Sequence, residues 1–274
     1  MKKLSATELA VIATKSALSF GKIDPEIVDS IYFGNVIQTS PDAAYLARHV
    51  GLKVGCATRT PALTINRLCG SGFETLIQGS NAIQVGDAKV TICGGSENMS
   101  AAPLHLDGNE ARWGVPLGAG LKLRDSLWDG LTDYYLNIPM GMTAENLAEK
   151  YSISREDCDQ FAIRSQKAWA EAKKQGVFDL ELAPVEVQTK KGINVVDTDE
   201  HPRPKTTLEK LSELKPVFKK NGVVTAANAS GICDGAGAII LATEDSVNEH
   251  NLEPLCRFTS YHVSGCDPSI MGKF

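Results

Sequence analysis

Residues 62–95 read ALTINRLCGSGFETLIQGSNAIQVGDAKVTICGG, a predicted strand, helix and second strand in succession. ALTIN at 62–66 has the apolar and β-branched composition of a short strand. KVTIC at 89–93 predicts a buried strand that ends at Gly94 and Gly95. Between them the apolar residues follow helical spacing and stop before Gly86. The residues with this spacing are Phe73, Leu76, Ile77, Ser80 and Ile83. A strand–helix–strand unit favours parallel pairing of its strands.

The same alternation continues on both sides of this unit. Ser5 and Glu8 form a predicted capping box that opens an N-terminal helix. Residues 30–35 (SIYFGN) and 238–242 (AIILA) are further strand candidates. Asp42 is a candidate cap for a helix that ends at Gly51. We therefore expect an α/β fold in layers with a largely parallel sheet.

The middle of the chain has a different texture, which predicts an insertion. Residues 100–137 are irregular and rich in glycine and polar side chains, and helices are predicted at 143–150 and 154–174. We therefore assign residues 1–99 and 223–252 to one α/β half and residues 100–222 to an inserted loop domain. Residues 254–264 predict a strand, so 253–274 are expected to begin a further unit. Long insertions cost little loop-closure entropy and often carry ligand contacts.

Composition and charge exclude several classes of function. The chain has 274 residues, ordinary apolar content and a formal net charge of −5. Because the overall field is negative, nucleic acid and an anionic membrane surface are not expected as partners. No apolar run is long enough to span a bilayer, and no secretory signal or obvious transit peptide follows the first Met.

Seven cysteines are scattered along the chain without a C-x-x-C pair. A disulfide scaffold or a metal site is therefore not expected, and a reducing compartment is the better interpretation. Any single cysteine is by default a small buried hydrophobe. A catalytic cysteine has to be distinguished from that default by its surroundings.

Cys69 lies where a predicted strand turns directly into a predicted helix, with glycines on either side of Ser71. A helix N-terminus offers free N–H groups and the positive end of the macrodipole, which stabilise a thiolate. The same amides could bind a tetrahedral oxyanion. The local pattern alone is equally compatible with a structural cysteine in a turn.

Four motifs, in order, resemble the thiolase family. TINRLCGSG (64–72) with CGGSENMS (93–100) resembles its nucleophile segment, and PMGMTAEN (139–146) its loop-domain motif. RPKTTL (203–208) resembles its coenzyme A-contacting stretch, and NASG (228–231) followed by DGAGA (234–238) its glycine-rich segment. Within that family, the sequence of these motifs most resembles 3-ketoacyl-CoA thiolases of mitochondrial β-oxidation. A β-ketoacyl synthase of the same fold is a weaker alternative.

The resemblance implies roles for five residues. Cys69 would accept the acyl group, Arg203 and Thr206 would contact the nucleotide end of coenzyme A, Ser230 would lie near its pantetheine, and Met140 would line the acyl pocket. Each of the last four has an ordinary alternative. Arg203 could be a surface charge, Thr206 the start of a capping box with Glu209, Ser230 a turn residue, and Met140 part of the core.

The resemblance also implies the reaction and its setting. Thiolases transfer an acyl group in two steps through an acyl-cysteine. The expected ligands are 3-ketoacyl-CoA, acetyl-CoA and CoA, with CoA as a substrate and no permanently bound cofactor. A homo-oligomer (dimer or tetramer) and a mitochondrial matrix location are implied in the same way.

The sequence departs from the family pattern in its catalytic histidine. In the thiolase family the activating histidine lies between a glycine and a proline. None of the histidines of this chain does; they are His49, His105, His201, His250 and His262. Cys266 resembles a strand-end segment and not the family's second catalytic cysteine. We therefore expect a chain truncated at both ends, with the second half of the fold largely missing and an apolar face and sheet edges left exposed. The alternative function is a catalytically incomplete fragment that binds acyl-CoA or a partner subunit.

Overall fold

The structure is a computed structural model that describes residue 1 and residues 3–272. The strands are β1 Ser30–Gly34, β2 Ala62–Ile65, β3 Val90–Asn98, β4 Leu104–His105, β5 Arg124–Asp125, β6 Thr132–Asp133, β7 Ile138–Pro139, β8 Val185–Thr189, β9 Gly192–Val196 and β10 Asp234–Ala242. The α-helices are α1 Ala6–Phe20, α2 Leu46–Val54, α3 Ser71–Gln84, α4 Gly108–Arg112, α5 Ser126–Gly130, α6 Met140–Tyr151, α7 Arg155–Lys174, α8 Leu208–Ser212 and α9 Glu244–Glu249.

The chain forms two compact units. The first unit contains Met1–Ser126, Ala183–Val196 and Cys233–His262. The second contains Leu127–Leu182, Asp197–Ile232 and the stretch from Val263 to Gly272, the last described residue. The domain division expected from the sequence stays a prediction, and its residues 273–274 lie outside the described part of the chain.

The first unit is built on a four-stranded sheet in the order β10-β3-β1-β2. β1 pairs in parallel with both β2 and β3, which confirms the predicted strand–helix–strand unit. β10 pairs antiparallel with β3, from Asp234 opposite Asn98 to Ala242 opposite Val90. The α/β class is thus confirmed, and the sheet is mixed because the strand after the long insertion returns in the opposite direction.

The core of the first unit lies between α1, α2 and the sheet. The capping box of α1 is present as predicted: Ser5 Oγ accepts the Glu8 N–H and the Glu8 carboxylate accepts the Ser5 N–H. α1 packs against α2, β3 and β10. The largest fully buried apolar side chains here are Phe33, Ile31, Leu46, Ile92, Val50 and Val90. Burial of such side chains is worth roughly 1.5–3 kcal/mol each, which makes this layer the main source of stability in the unit.

The helix near Asp42 differs from the expectation. Asp42 precedes only a short 3-10 turn and gives it no side-chain hydrogen bond. α2 continues through Gly51 to Val54, and its C-cap is Gly55, whose φ is +98°. Gly51 is a packing residue, because a Cβ there would collide with the Ile31 side chain. A glycine required by close packing was mistaken for a helix terminator.

β3 also runs further than predicted, through Gly94 and Gly95 to Asn98. A Cβ on Gly94 would lie 2.6 Å from Phe33 Cε1 and would collide with the Gly237 carbonyl. Gly94 therefore does not end the strand; it allows β10 and the Phe33 ring of β1 to approach β3 closely.

The strand predicted at residues 254–264 does not form. Residues 252–267 have no assigned helix or strand, and most of their side chains are exposed. Its composition favours a strand, but a strand needs a ladder partner, and the described residues supply none for this segment. This prediction was wrong for the chain as described.

Both edges of the four-stranded sheet, β2 and β10, lack a further paired strand within the described residues. Large apolar side chains are exposed on the same unit, including Phe73 on α3, Val85 just after α3 and Ile239 on β10. Exposed edges and apolar surface of this kind favour association. No helix in the described part of the chain is long and apolar enough to cross a membrane.

The neighbouring glycines of β3 give a matched test of this packing. Gly94→Ala should lower the free energy of unfolding by about 1–3 kcal/mol, because its methyl group has no room. Gly95→Ala should be close to neutral, since the nearest atom to its Cβ would be the Gly34 carbonyl at an ordinary 3.5 Å. Urea unfolding of the two variants measures the difference. Equal destabilisation would contradict the proposed contact.

Candidate active site

Cys69 is exposed and lies between the end of β2 at Ile65 and the start of α3 at Ser71. The predicted strand-to-helix junction is therefore present. Gly70 is the N-cap residue of α3 and provides no side-chain cap. No side chain therefore caps the first turn of α3, and the Ser71 N–H donates to the Leu68 carbonyl (2.9 Å).

The turn before Cys69 is held by side-chain hydrogen bonds. Leu68 has φ +48°, the left-handed region that a branched non-glycine residue rarely adopts. Its N–H donates to Asn66 Oδ1 (2.9 Å), and its carbonyl accepts the Ser71 hydroxyl (2.6 Å). Ser71 Oγ also accepts the Arg67 N–H (2.8 Å). These bonds fix the conformation of the residue that immediately precedes Cys69.

Two contacts fix the start of α3: close packing against β1 and an ion pair between Arg67 and Glu74. A Cβ on Gly34 at the end of β1 would lie 2.7 Å from Ser71 Cβ, so glycine is what allows this approach. Arg67 Nε lies 3.0 Å from Oε2 of Glu74, a buried carboxylate that also accepts Gln78 Nε2 (2.7 Å). Arg67 thus brings a cation to the helix N-terminal turn that follows Cys69.

Glu97 is a carboxylate at this end of the sheet that the sequence analysis missed. It accepts the backbone N–H groups of Val36 (3.0 Å) and Ile37 (3.1 Å) and the amide of Asn35 (3.2 Å). Burial raises the pKa of Glu97 above its ordinary value, while the two backbone N–H groups act in the opposite direction. Its only signal in the sequence is a charge at the end of an otherwise apolar strand.

Cys93 is a core residue, as predicted. It is 1% exposed, and burial raises the pKa of its thiol to about 11. A Cβ on Gly79 would lie 2.5 Å from Cys93 Sγ, so α3 packs directly on it. Cys93 is therefore protonated and inaccessible at neutral pH. Cys69, by comparison, is exposed.

Met140 lies in the second unit, half-buried at the first position of α6. Its N–H donates to the Leu131 carbonyl (2.8 Å) and its carbonyl accepts the Thr143 hydroxyl (2.7 Å). One turn further, the buried Glu145 carboxylate accepts the N–H groups of Val223 and Val224 at 2.9–3.1 Å. α6 thereby fixes the chain just before the NASG motif.

The NASG motif is hydrogen-bonded to α7 through Asp159. Asn228 Nδ2 donates to the buried Asp159 carboxylate (3.0 Å) and to the Val223 carbonyl (2.8 Å), and its Oδ1 accepts the Thr225 N–H (2.7 Å). Asp159 also pairs with Arg155 Nε (2.8 Å). Ser230, two residues later, is exposed. The motif is therefore a fixed loop with Ser230 at its surface.

Arg203 is exposed, and its guanidinium folds back on its own loop. Its Nη1 donates to the carbonyls of Glu200 (2.6 Å), His201 (2.9 Å) and Pro202 (3.0 Å). The His201 ring packs against Gly231 so closely that a Cβ there would collide with it. The structure thus brings the loop of Arg203 and the loop of Ser230 together within the second unit.

Thr206 is not a helix cap. The N-cap of α8 is Thr207, whose side chain accepts the Lys210 N–H, so the predicted alternative of a capping box from Thr206 to Glu209 is wrong by one residue. Thr206 is half-buried and donates its own N–H to the Arg203 carbonyl (3.0 Å). Capping therefore does not account for a threonine at this position.

The five residues assigned from the sequence divide between the two units. Cys69 belongs to the first, and Met140, Arg203, Thr206 and Ser230 belong to the second. Among the described residues, no group of histidine, cysteine and carboxylate side chains is arranged to hold a metal ion. An exposed cysteine just before a helix N-terminus is an arrangement suited to acyl transfer by a cysteine nucleophile.

Comparison with known proteins gives the class of this chain. The thiolase N-terminal domain matches residues 1–245, and the chain belongs to the thiolase family. It is 57% identical over 272 residues to the human mitochondrial 3-ketoacyl-CoA thiolase, which covers 99% of this chain and 68% of the human protein. An acetyl-CoA acetyltransferase from Cupriavidus necator is 42% identical, covering 99% and 69%.

Solved structures agree with that assignment. The crystal structure of human mitochondrial 3-ketoacyl-CoA thiolase in complex with CoA superposes with a TM-score of 0.94 at 56% identity, covering 99% of this chain and 67% of that one. The shared α/β fold and the resemblance expected from the four motifs are thereby confirmed.

Proposed function

We propose that the chain is an acyl-CoA C-acyltransferase that acts on 3-ketoacyl-CoA and CoA through an acyl intermediate on Cys69. The observation that carries this proposal is the exposed Cys69 in a fixed turn before α3. Its place in the thiolase family and its similarity to a 3-ketoacyl-CoA thiolase supply the substrate class. A mitochondrial matrix location and a homo-oligomeric state are proposed on the same similarity.

The reaction balances as a two-step transfer. The Cys69 thiolate attacks the 3-keto carbon, and the bond between carbons 2 and 3 breaks. The electron pair leaves on the enolate of acetyl-CoA, which takes up a proton. The CoA thiolate then attacks the acyl-cysteine, releasing Cys69 and a shortened acyl-CoA. Amides at the start of α3 are suited to the oxyanion that forms in each step.

The second unit would hold coenzyme A. All three hydrogen bonds of the Arg203 guanidinium use Nη1, which leaves Nε and Nη2 for a phosphate. Thr206 and Ser230 supply hydroxyls on loops that lie together, and Met140 supplies a flexible apolar side chain suited to an acyl group. CoA is a substrate here, because it is consumed in the second step.

A second candidate function is binding of acyl-CoA without turnover. The observation that favours it is that none of the five histidines lies in a Gly-His-Pro sequence, so these 274 residues hold no counterpart of the family's activating base. A chain with the Cys69 turn and the coenzyme A loops alone would accept an acyl group but release it slowly.

Mass spectrometry after incubation with acetyl-CoA or acetoacetyl-CoA tests the nucleophile. We expect an acetyl adduct on the peptide that contains Cys69, and its absence in Cys69→Ala. Cys256→Ala is the matched control, because Cys256 is an exposed cysteine of the same unit, and this variant should keep the adduct. An acetylated peptide elsewhere with none at Cys69 would contradict the proposal. Continuous thiolysis would favour the enzyme over the binding fragment.

Isothermal titration with CoA tests the second unit. Arg203→Ala should weaken CoA binding about tenfold or more, because a charge-assisted hydrogen bond is worth about 1.5–3 kcal/mol. Lys174→Ala is the control, since it removes an exposed positive charge from the end of α7 in the same unit. Equal weakening by both variants would indicate a general charge effect and refute a specific role for Arg203.

A further inference from the structure

We propose that Glu97 is a positioning residue for Cys69, acting through the backbone of Val36–Ile37 and the side chain of Asn66. The inference rests on the proposed role of Cys69 as the nucleophile. Glu97 has no place in the reaction itself, and its sequence position is 28 residues beyond Cys69. The connection between the two is a continuous series of hydrogen bonds.

The first link joins Glu97 to the segment after β1. Its two carboxylate oxygens accept the N–H groups of Val36 (3.0 Å) and Ile37 (3.1 Å), and Oε1 also accepts Asn35 Nδ2 (3.2 Å). Asn35 is itself tied to β3 by a bond from Nδ2 to the Ser96 carbonyl (2.8 Å). Because Glu97 belongs to β3, the segment at Val36–Ile37 is held to the central strand of the sheet.

The second link is Asn66, whose amide bridges two backbone groups. Its Nδ2 donates to the Val36 carbonyl (3.1 Å), and its Oδ1 accepts the Leu68 N–H (2.9 Å). The Val36 carbonyl thus accepts a hydrogen bond from Asn66, while the Val36 N–H donates one to Glu97. A shift of the Val36 peptide would therefore move or release Asn66.

The third link is the strained residue before the nucleophile. A branched side chain in the left-handed region is strained, so Leu68 at φ +48° stays there only while its surroundings enforce it. The Leu68 N–H is held by a hydrogen bond to Asn66, and the Leu68 carbonyl by a hydrogen bond from Ser71. Releasing Asn66 lets Leu68 relax, and Cys69 is the next residue along the chain.

A purely structural role for Glu97 is the competing explanation, and the same unit contains the control for it. Asp29 Oδ2 accepts two backbone N–H groups, those of Lys89 (2.8 Å) and Val90 (3.0 Å). It precedes β1 and therefore lies at the opposite end of that strand from the Cys69 turn. Asp29 and Glu97 bind the backbone alike, but only Glu97 is connected to Cys69.

The test is the alkylation rate of Cys69 by iodoacetamide, divided by that of the exposed Cys256 in the same molecule, read by peptide mass spectrometry. Glu97→Ala and Asn66→Ala should each lower this ratio about tenfold. Glu97→Gln, which keeps one acceptor oxygen, should give an intermediate ratio. Asp29→Ala should leave the ratio unchanged, even where its loss of thermal stability equals that of Glu97→Ala.

A double-mutant cycle shows whether Glu97 and Asn66 act on Cys69 through the same hydrogen bonds or independently of each other. In Glu97→Ala combined with Asn66→Ala the ratio should fall no further than in Asn66→Ala alone, because both changes break one path. Multiplied effects, or a Glu97→Ala ratio equal to that of the unmodified chain, would overturn the proposal. If Glu97→Ala does not fold, the cycle is run with Glu97→Gln. Since the assay measures alkylation, it stands apart from the acetyl adduct that tests the proposed function.

Discussion

The candidate active site depends on the left-handed conformation of Leu68 between β2 and α3. It lets the chain leave the sheet at Ile65 and begin a helix at Ser71, with Cys69 exposed on the way. An ordinary extended or helical residue at that point would continue the strand or start the helix early. The strain is offset by the hydrogen bonds that Leu68 makes with Asn66 and Ser71, and Cys69 lies one residue before the N-cap of α3.

In two irregular segments, one in each unit, a single carboxylate accepts two backbone N–H groups. Glu97 holds Val36–Ile37 in the first unit, and Glu145 holds Val223 and Val224 in the second. In each case the segment has no ladder partner of its own, so a side chain satisfies its buried amides. Both segments are thereby given a defined conformation without becoming strands or helices.

Local chemistry made much of the fold predictable from the sequence. The capping box of Ser5 and Glu8 and the junction at Cys69 depend on residues close in sequence, and both were predicted. Gly51 and Gly94 were misinterpreted because they face Ile31 and Phe33, contacts that no local pattern encodes. Residues 254–264 failed as a strand because a strand needs a partner. Glu97 was missed because its partners lie about sixty residues away.

We infer that folding itself makes Cys69 the reactive thiol, through the turn before it and the amides of α3. The most direct measurement compares the alkylation rate of each cysteine in the native and the urea-unfolded chain at pH 7. We expect Cys69 to react faster in the native chain than in the unfolded one, and the buried Cys93 to react more slowly. A Cys69 that reacts no faster when folded would contradict it.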